Sequence, residues 1–387
     1  MKNFMYYTPT KVHFGKGKIS KLHDEILKLG KNVLLVYGGN SIKRNGIYDQ
    51  VMEQLNDPEI NVFELSGVEP NPRIGSARDG ARICKANDVD VVLAVGGGSV
   101  IDCSKLIAAA ACYDGDPWDL VLKNSKIKDV LPIVSVLTLS ATGSEMDGFA
   151  VISNMETNDK LGMGSLKFKP RVSILDPEYT YTVPAGQTAA GTADIMSHTL
   201  ETYFHNEEGA FIQDRMAEDI LKTCIKYGPV AVKEPENYEA RANLMWSSSL
   251  AINGLISCGS DVGWTVHPME HELSAFYDIT HGVGLAILTP HWMRYVLSDD
   301  TVDKFAEYAV NVWGIEESDD KFEMANKAID KTKELFDEMG IPQTLSELGI
   351  DEEYFDKMAE NASHRGVKKG YVSLTKEDVI KIYKMAL

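Results

Sequence analysis

Histidine is scarce in this chain, nine in 387 residues, and five of the nine fall between positions 198 and 281. In Gly191-Thr192-Ala193-Asp194-Ile195-Met196-Ser197-His198, Asp194 and His198 stand four apart, one turn along a single helix face. His267-Pro268-Met269-Glu270-His271 repeats the spacing, and His281 follows in Ile279-Thr280-His281-Gly282. Three imidazoles and one carboxylate drawn from this group make a borderline-to-hard donor set, suited to Fe(II), Zn(II), Co(II) or Ni(II). No cysteine takes part, which argues against a thiolate-bound structural zinc, and HExxH is absent because position 268 is proline. Taken singly, each of these histidines is better accounted for as a satisfied core or surface residue, and only the two i, i+4 pairs together with His281 bring ligation level with that reading. His13, His23, His205, His291 and His364 have no such partners and read as structural.

A second chemistry lies in three glycine turns. Val95-Gly96-Gly97-Gly98-Ser99 ends an apolar run and opens a helical stretch carrying Asp102 and Lys105. Such a turn lets backbone approach a phosphate closely, and a helix N-terminus supplies free N–H groups. Ser99 is the expected N-cap, with a hydroxyl able to meet a phosphate oxygen. Tyr37-Gly38-Gly39-Asn40-Ser41 is not a GxGxxG fingerprint. It offers no carboxylate for a ribose 2′-hydroxyl. With Lys43 and Arg44 directly after it, the turn suits a 2′-phosphate, hence NADP(H) over NAD(H). A solvated turn with two surface cations is the competing reading. Thr138-Leu139-Ser140-Ala141-Thr142-Gly143-Ser144-Glu145 follows a further strand, and its small hydroxyl residues suit a nicotinamide and pyrophosphate lining.

The elements that must position these groups change character along the chain. Strands are expected over 32–39, 61–65, 88–98, 131–139 and 171–176, with helices over 47–55, 74–87 and 99–112 between them. Continuous apolar strands separated by helices imply a parallel sheet covered on both faces. After Val183-Pro184-Ala185-Gly186-Gln187 helix formers dominate, broken at Gly228, Pro235, Pro268, Pro290 and Pro342. Two domains follow, an α/β Rossmann-like nucleotide domain over 1–182 and an all-helical, metal-binding domain over 183–387.

The formal charge of −18 argues against nucleic-acid or anionic-membrane partners. The average hides an asymmetry. Residues 1–50 carry nine Lys/Arg against three Asp/Glu, whereas 314–360 carry five against fifteen. A small anion is welcome at the N-terminal end, beside Lys43 and Arg44. No apolar run reaches the ~20 residues of a membrane span. The N-terminal stretch has no h-region, and five cysteines without a CxxC pair fit a reduced cytoplasmic protein with thiols as small core residues.

Taken together these pieces resemble the iron-containing (group III) alcohol dehydrogenases, whose fold is shared with dehydroquinate synthase. The resemblance runs from TPTKVHFGKGKI (8–19) through Gly67–Pro72, GGGSVIDCSK (96–105), TLSATGSEMD (138–147) and LDPEYTYTVP (175–184). It ends with GTADIMSHTLE (191–201) and HPMEHELSAFYDITHGVGLAI (267–287). Within that family the chain is most similar to butanol dehydrogenases and broad aldehyde reductases.

The resemblance implies Asp194, His198, His267 and His281 as ligands of one divalent ion, Fe(II) foremost, with His271 near the ion and relaying a proton. It implies Gly97, Gly98, Ser99 and Asp102 at the pyrophosphate. Thr138, Leu139 and Ser144 would line the ribose and nicotinamide, with Asn71 and Lys160 nearby. Gly38, Gly39, Asn40 and Ser41 fall to the adenosine end. Members preferring NAD commonly carry an acid where Gly39 stands, and Asn40 replaces a frequent third glycine. The implied reaction is hydride transfer between NADP(H) and short-chain aldehydes or primary alcohols such as butanal and butanol, in a homodimer. A glycerol-dehydrogenase-like polyol oxidoreductase using NAD is the nearer alternative, and a metallohydrolase the more distant one.

Overall fold

The computed structural model describes all 387 residues. Eight strands form: β1 (Lys11–Phe14), β2 (Asn32–Tyr37), β3 (Asn61–Leu65), β4 (Val91–Gly96), β5 (Ile133–Leu137), β6 (Phe149–Asn154), β7 (Asp159–Gly164) and β8 (Val172–Leu175). Six make one sheet in the order β1-β8-β5-β4-β2-β3, every neighbour pair parallel. The strands alternate between two apolar cores. Leu34, Val36, Val92 and Ala94 face the helices Ile74–Ala86 and Gly98–Ala111. Val33, Leu35, Val91, Leu93 and Val95 join a second core with residues of Leu22–Leu27 and Ile47–Gln54. Burial on both faces is why these strands read as unbroken apolar runs.

Between β2 and β4 the strand order reverses, so both glycine turns leave the carboxyl ends of neighbouring strands at a topological switch point, where open α/β sheets bind ligands. β1 and the antiparallel pair β6–β7 are additional to the expected strands. The hairpin turn between β6 and β7 includes Asn158 with φ 53°, a left-handed value that asparagine tolerates.

The chain divides into two compact units: Tyr7–Val183 with Pro235–Ser249, and Met1–Tyr6 with Pro184–Glu234 and Leu250–Leu387. The division is thus discontinuous, which a single boundary near 182 does not express. Most of the helix Tyr238–Ile252 packs with the sheet unit, and Trp246 meets Phe14 edge-on at 5.9 Å.

The second unit holds no strand. Its helices run through three of the expected breaks. Gly228 and Pro290 lie inside Phe211–Lys233 and His281–Val296, and Pro268 sits in the first turn of Val266–Tyr277. A first-turn proline has no hydrogen bond to lose, and tertiary packing overrides propensity at the buried Pro290. Pro235 and Pro342 do fall in connections. No helix is long and apolar enough to cross a membrane. All five thiols are free, but Cys112 is exposed at the end of Gly98–Ala111, correcting its expected core placement.

A candidate metal centre and dinucleotide site

Asp194 and His198 lie one turn apart on the buried helix Ala185–Tyr203. His267 and His271 lie one turn apart at the start of Val266–Tyr277, and His281 is the first residue of His281–Val296. The last helix reaches the first because position 282 is glycine: a Cβ there would stand 2.0 Å from the Ala190 carbonyl oxygen.

Asp194 Oδ1 is the common centre. It lies 3.7 Å from His198 Nε2, 3.8 Å from His267 Nε2 and 3.7 Å from His281 Nε2. These separations are too long for hydrogen bonds. Buried Asp194 Oδ1 and His267 Nε2 have no hydrogen-bond partner in the protein. Donors at roughly 2.0–2.2 Å around a tetrahedral ion stand about 3.4 Å apart, close to what is seen. The donor set therefore fits a divalent cation.

Around it, Glu201 meets the Nδ1 of His267 and Glu270 the Nδ1 of His281. The His198 and His267 rings stack at 4.7 Å, and Trp264 meets both edge-on. Burial opposes charge on Asp194, but the surrounding histidines outweigh it and hold the carboxyl below its ordinary range. Burial likewise opposes the His267 imidazolium, yet Glu201 and Asp194 push it up to about 9, so a cation binding there must expel a proton. His271 stands beside the cluster, its ring 5.5 Å from His281 and 6.2 Å from His267. Four histidines outside the cluster have ordinary partners: His13 with Glu25, His23 with the Gln54 carbonyl, His205 with Asp214 and His364 with the Glu360 carbonyl. Burial pushes His291 down to about 4 and keeps it neutral.

In the sheet unit, Gly98 opens the helix Gly98–Ala111 and Gly97 is its N-cap, so Ser99 is not the cap expected of it. The cap falls two residues earlier, at a glycine, and Ser99 lies in the first turn. The next loop presses on this turn. Thr138 N–H donates to the Gly96 carbonyl at 3.0 Å, and a Cβ on Gly97 would meet Leu139 Cβ at 3.2 Å. Asp102 turns inward, accepting from Ser144 Oγ at 2.5 Å and Val151 N–H at 2.8 Å. Burial is the main reason its carboxyl rises to about 6.

Lys105, fully buried one turn on, donates to Ser144 Oγ at 2.7 Å, Asp147 Oδ1 at 2.6 Å and the Phe149 carbonyl at 2.6 Å. Lys105 and Asp147 were unassigned by sequence; the i, i+3 placement of Asp102 and Lys105 was the available signal. Ser153 links the remaining pair: its N–H donates to the Pro72 carbonyl, next to Asn71, and it is the register partner of Lys160 in β7.

The first turn carries one correction. No carboxylate is near it in sequence, but Glu64 on β3 accepts from Tyr37 Oη at 2.7 Å and Tyr48 Oη at 2.8 Å. The hydrogen bond to Glu64 is the main cause that pushes Tyr48 up to about 12. Lys43 Nζ lies 5.0 and 4.5 Å from the Tyr37 and Tyr48 ring centroids, a cation–π arrangement. Gly39 needs no glycine for space, since a Cβ there meets nothing within 4 Å.

Residues 9–177 match the family profile described as iron-containing alcohol dehydrogenase, and 188–387 its C-terminal counterpart. The chain is 60% identical over 386 residues to NADH-dependent butanol dehydrogenase A of Clostridium acetobutylicum, covering 99% of each chain. It is 43% identical over 355 residues to the NADPH-dependent aldehyde reductase YqhD of Escherichia coli, covering 91% of this chain and 90% of that one. Among solved structures, a butanol dehydrogenase A from Thermotoga maritima superposes with a TM-score of 0.94 at 41% identity, over 100% and 99% of the two chains.

Proposed function

The chain belongs to the iron-containing alcohol dehydrogenase family, and from that premise we propose that it moves hydride between NADPH and short-chain aldehydes, with butanal and butanol as the representative pair. It is an alcohol dehydrogenase and aldehyde reductase that depends on a nicotinamide cofactor. One observation carries the site assignment: three imidazole Nε2 atoms stand at near-equal distance around the buried, unpartnered Asp194 Oδ1.

Asp194, His198, His267 and His281 would hold one divalent ion, Fe(II) first among candidates, which when bound supplies Lewis-acid polarisation of a carbonyl. The remaining work falls to the chain. Gly97, Gly98 and Ser99 would offer backbone N–H groups and a hydroxyl to the pyrophosphate. Asp102 and Ser144 tie the 138–147 loop to that helix, so that Thr138 and Leu139 keep a fixed surface for ribose and nicotinamide. Asn71 and Lys160 would approach the same ribose. Hydride transfer needs donor and acceptor carbons within about 3–3.5 Å, which rigid supports supply. His271 would return the proton that the reduced carbonyl oxygen needs, a role suited to an imidazole near neutral pH. A homodimer in the cytoplasm is the assembly and compartment proposed, the latter supported by five free thiols.

The preference for NADPH rests on Gly38, Gly39, Asn40 and Ser41. The turn itself carries no acid, Glu64 beside it being held by Tyr37 and Tyr48, and it has space for a phosphate over Gly39 with Lys43 and Arg44 behind it. Relatives use either cofactor, so the ratio must be measured. Wild type should show the higher kcat/KM with NADPH, and Gly39→Asp should narrow or invert that ratio. A tenfold preference for NADH in wild type would refute this account of the adenosine end.

A further inference from the structure

Glu201 and Glu270 are assigned neither to the ion nor to the dinucleotide, yet both are almost wholly buried and each faces one imidazole. Glu201 lies seven residues after Asp194 on the same helix, two turns along the same face. One of its oxygens, Oε1, accepts from the backbone N–H groups of Thr265 and, at 2.6 Å, Val266. The other, Oε2, accepts from His267 N–H at 3.2 Å and meets His267 Nδ1. Its carboxylate thus closes the N-terminus of Val266–Tyr277 and grips the first histidine on it. Glu270 is placed differently. Its Oε2 meets His281 Nδ1 and its Oε1 accepts from Ser274 Oγ.

We infer that Glu201 and Glu270 are positioning residues that fix the Nδ1–H tautomer of His267 and His281, so that each ring presents an unprotonated Nε2 to the ion. An imidazole whose Nδ1–H is donated to a carboxylate has its Nε2 lone pair free and more basic. The inference rests on the metal reading above.

The two carboxylates differ in a testable way. All four groups around Glu201 are donors: three backbone N–H groups and the ring. A glutamine there must point its NH2 at donors in either orientation. With the amide nitrogen against His267 Nδ1, the ring is driven to the opposite tautomer, whose Nε2–H cannot bind a metal. A glutamine at 270 keeps its oxygen on His281 Nδ1 and donates to Ser274 Oγ. That hydroxyl then turns to the Ile279 carbonyl, 3.3 Å away. Glu201→Gln should therefore damage the site and Glu270→Gln should largely spare it, whereas Glu270→Met removes the acceptor altogether.

The test is competition for Co(II) between the stripped protein and a chromophoric chelator, with the Co(II) d–d absorption recorded. Relative to wild type, Glu201→Gln and Glu270→Met should bind 10–100-fold more weakly with altered absorption, which is the range typical for lost outer-sphere partners. Glu270→Gln should stay within about threefold, and Glu272→Gln serves as the control. Glu272 is a buried carboxylate on the same helix, bound to Arg365 and to Asn361 at 2.8 Å, and its loss should lower Tm without changing Co(II) affinity. Should Glu201→Gln not fold, the Glu270 pair decides the matter alone. Equal Co(II) affinity in wild type, Glu201→Gln and Glu270→Met overturns the inference while leaving the metal site standing. Failure of wild type to bind Co(II) overturns the metal reading itself.

Discussion

Replacing Lys105 by methionine removes the one buried cation that joins the pyrophosphate helix to the loop after β5. The ammonium is fully buried, Asp147 is 5% exposed, and their contact is 2.6 Å. Three acceptors lose their donor together: Ser144 Oγ, Asp147 Oδ1 and the Phe149 carbonyl. Asp147 retains the Phe149 N–H at 2.7 Å but no counter-ion. Removing one partner of such a pair costs about 3–5 kcal/mol, because the remaining charge stays buried and uncompensated. At about 2–4 °C per kcal/mol for a unit of this size, Tm should fall by about 6–20 °C. Lys105 also draws Asp102 down against the burial that raises it, so its loss lets that carboxyl rise further. The deficit should therefore shrink as pH is lowered towards 5, where the carboxyl takes up a proton. Lys105→Met/Asp147→Asn removes the stranded charge and should recover much of the loss. Differential scanning fluorimetry of wild type, both single variants and the double variant between pH 5 and 8 supplies the cycle. A Tm loss below about 3 °C in Lys105→Met, or no recovery in the double variant, would refute the argument.

Three further substitutions separate geometry from charge. A Cβ on Gly98 would stand 2.3 Å from Thr142 Oγ1 and 2.5 Å from its methyl carbon. Overpacking of that kind costs about 1–3 kcal/mol, so Gly98→Ala should lower Tm by about 2–12 °C. Gly39→Ala, with nothing within 4 Å of its Cβ, should leave Tm unchanged; equal effects of the two would contradict the packing argument. Glu145 is fully buried, accepts from Ser249 Oγ at 2.5 Å and has no partner on Oε2. Burial is the main cause that pushes it from 4.5 up to about 7. The folded state then binds this proton more tightly than the unfolded chain, so its contribution is complete below about pH 4.5 and is lost as pH rises through 7. Glu145→Gln has no such proton to lose, so its Tm should gain on wild type across that window; parallel curves would count against it.

How much could be read from the chain alone follows from how local each signal was. β2, β4, β5 and β8 were legible because burial on both faces leaves continuous apolar runs, closed by glycines after β2 and β4, whereas β3, an edge strand with no buried residue, was legible from Val62, Phe63 and Leu65. β1 is four residues long, and β6–β7 carry two glycines and mixed exposure, so neither gave a run of its own. The split of residues 235–249 from their sequence neighbours is a long-range packing choice with no local mark. The histidine set was visible because helical spacing is encoded within five residues. Glu201 meets His267 across 66 residues, and Glu64 reaches Tyr37 only because β2 and β3 pair, so spacing arguments passed over both. The N-cap was expected two residues late, at Ser99 instead of Gly97, which separates a side-chain cap from a glycine cap.

The central claim is that a single ion held by Asp194, His198, His267 and His281 is required for NADPH-dependent aldehyde reduction. Its most direct test is anaerobic titration of metal-stripped protein with Fe(II) while butanal-dependent oxidation of NADPH is followed, for wild type and for His267→Ala. Wild type should rise from background to a plateau at one ion per chain, and His267→Ala should stay at background with no tightly bound ion. Full turnover in stripped wild-type protein, or full activity and metal content in His267→Ala, would contradict it.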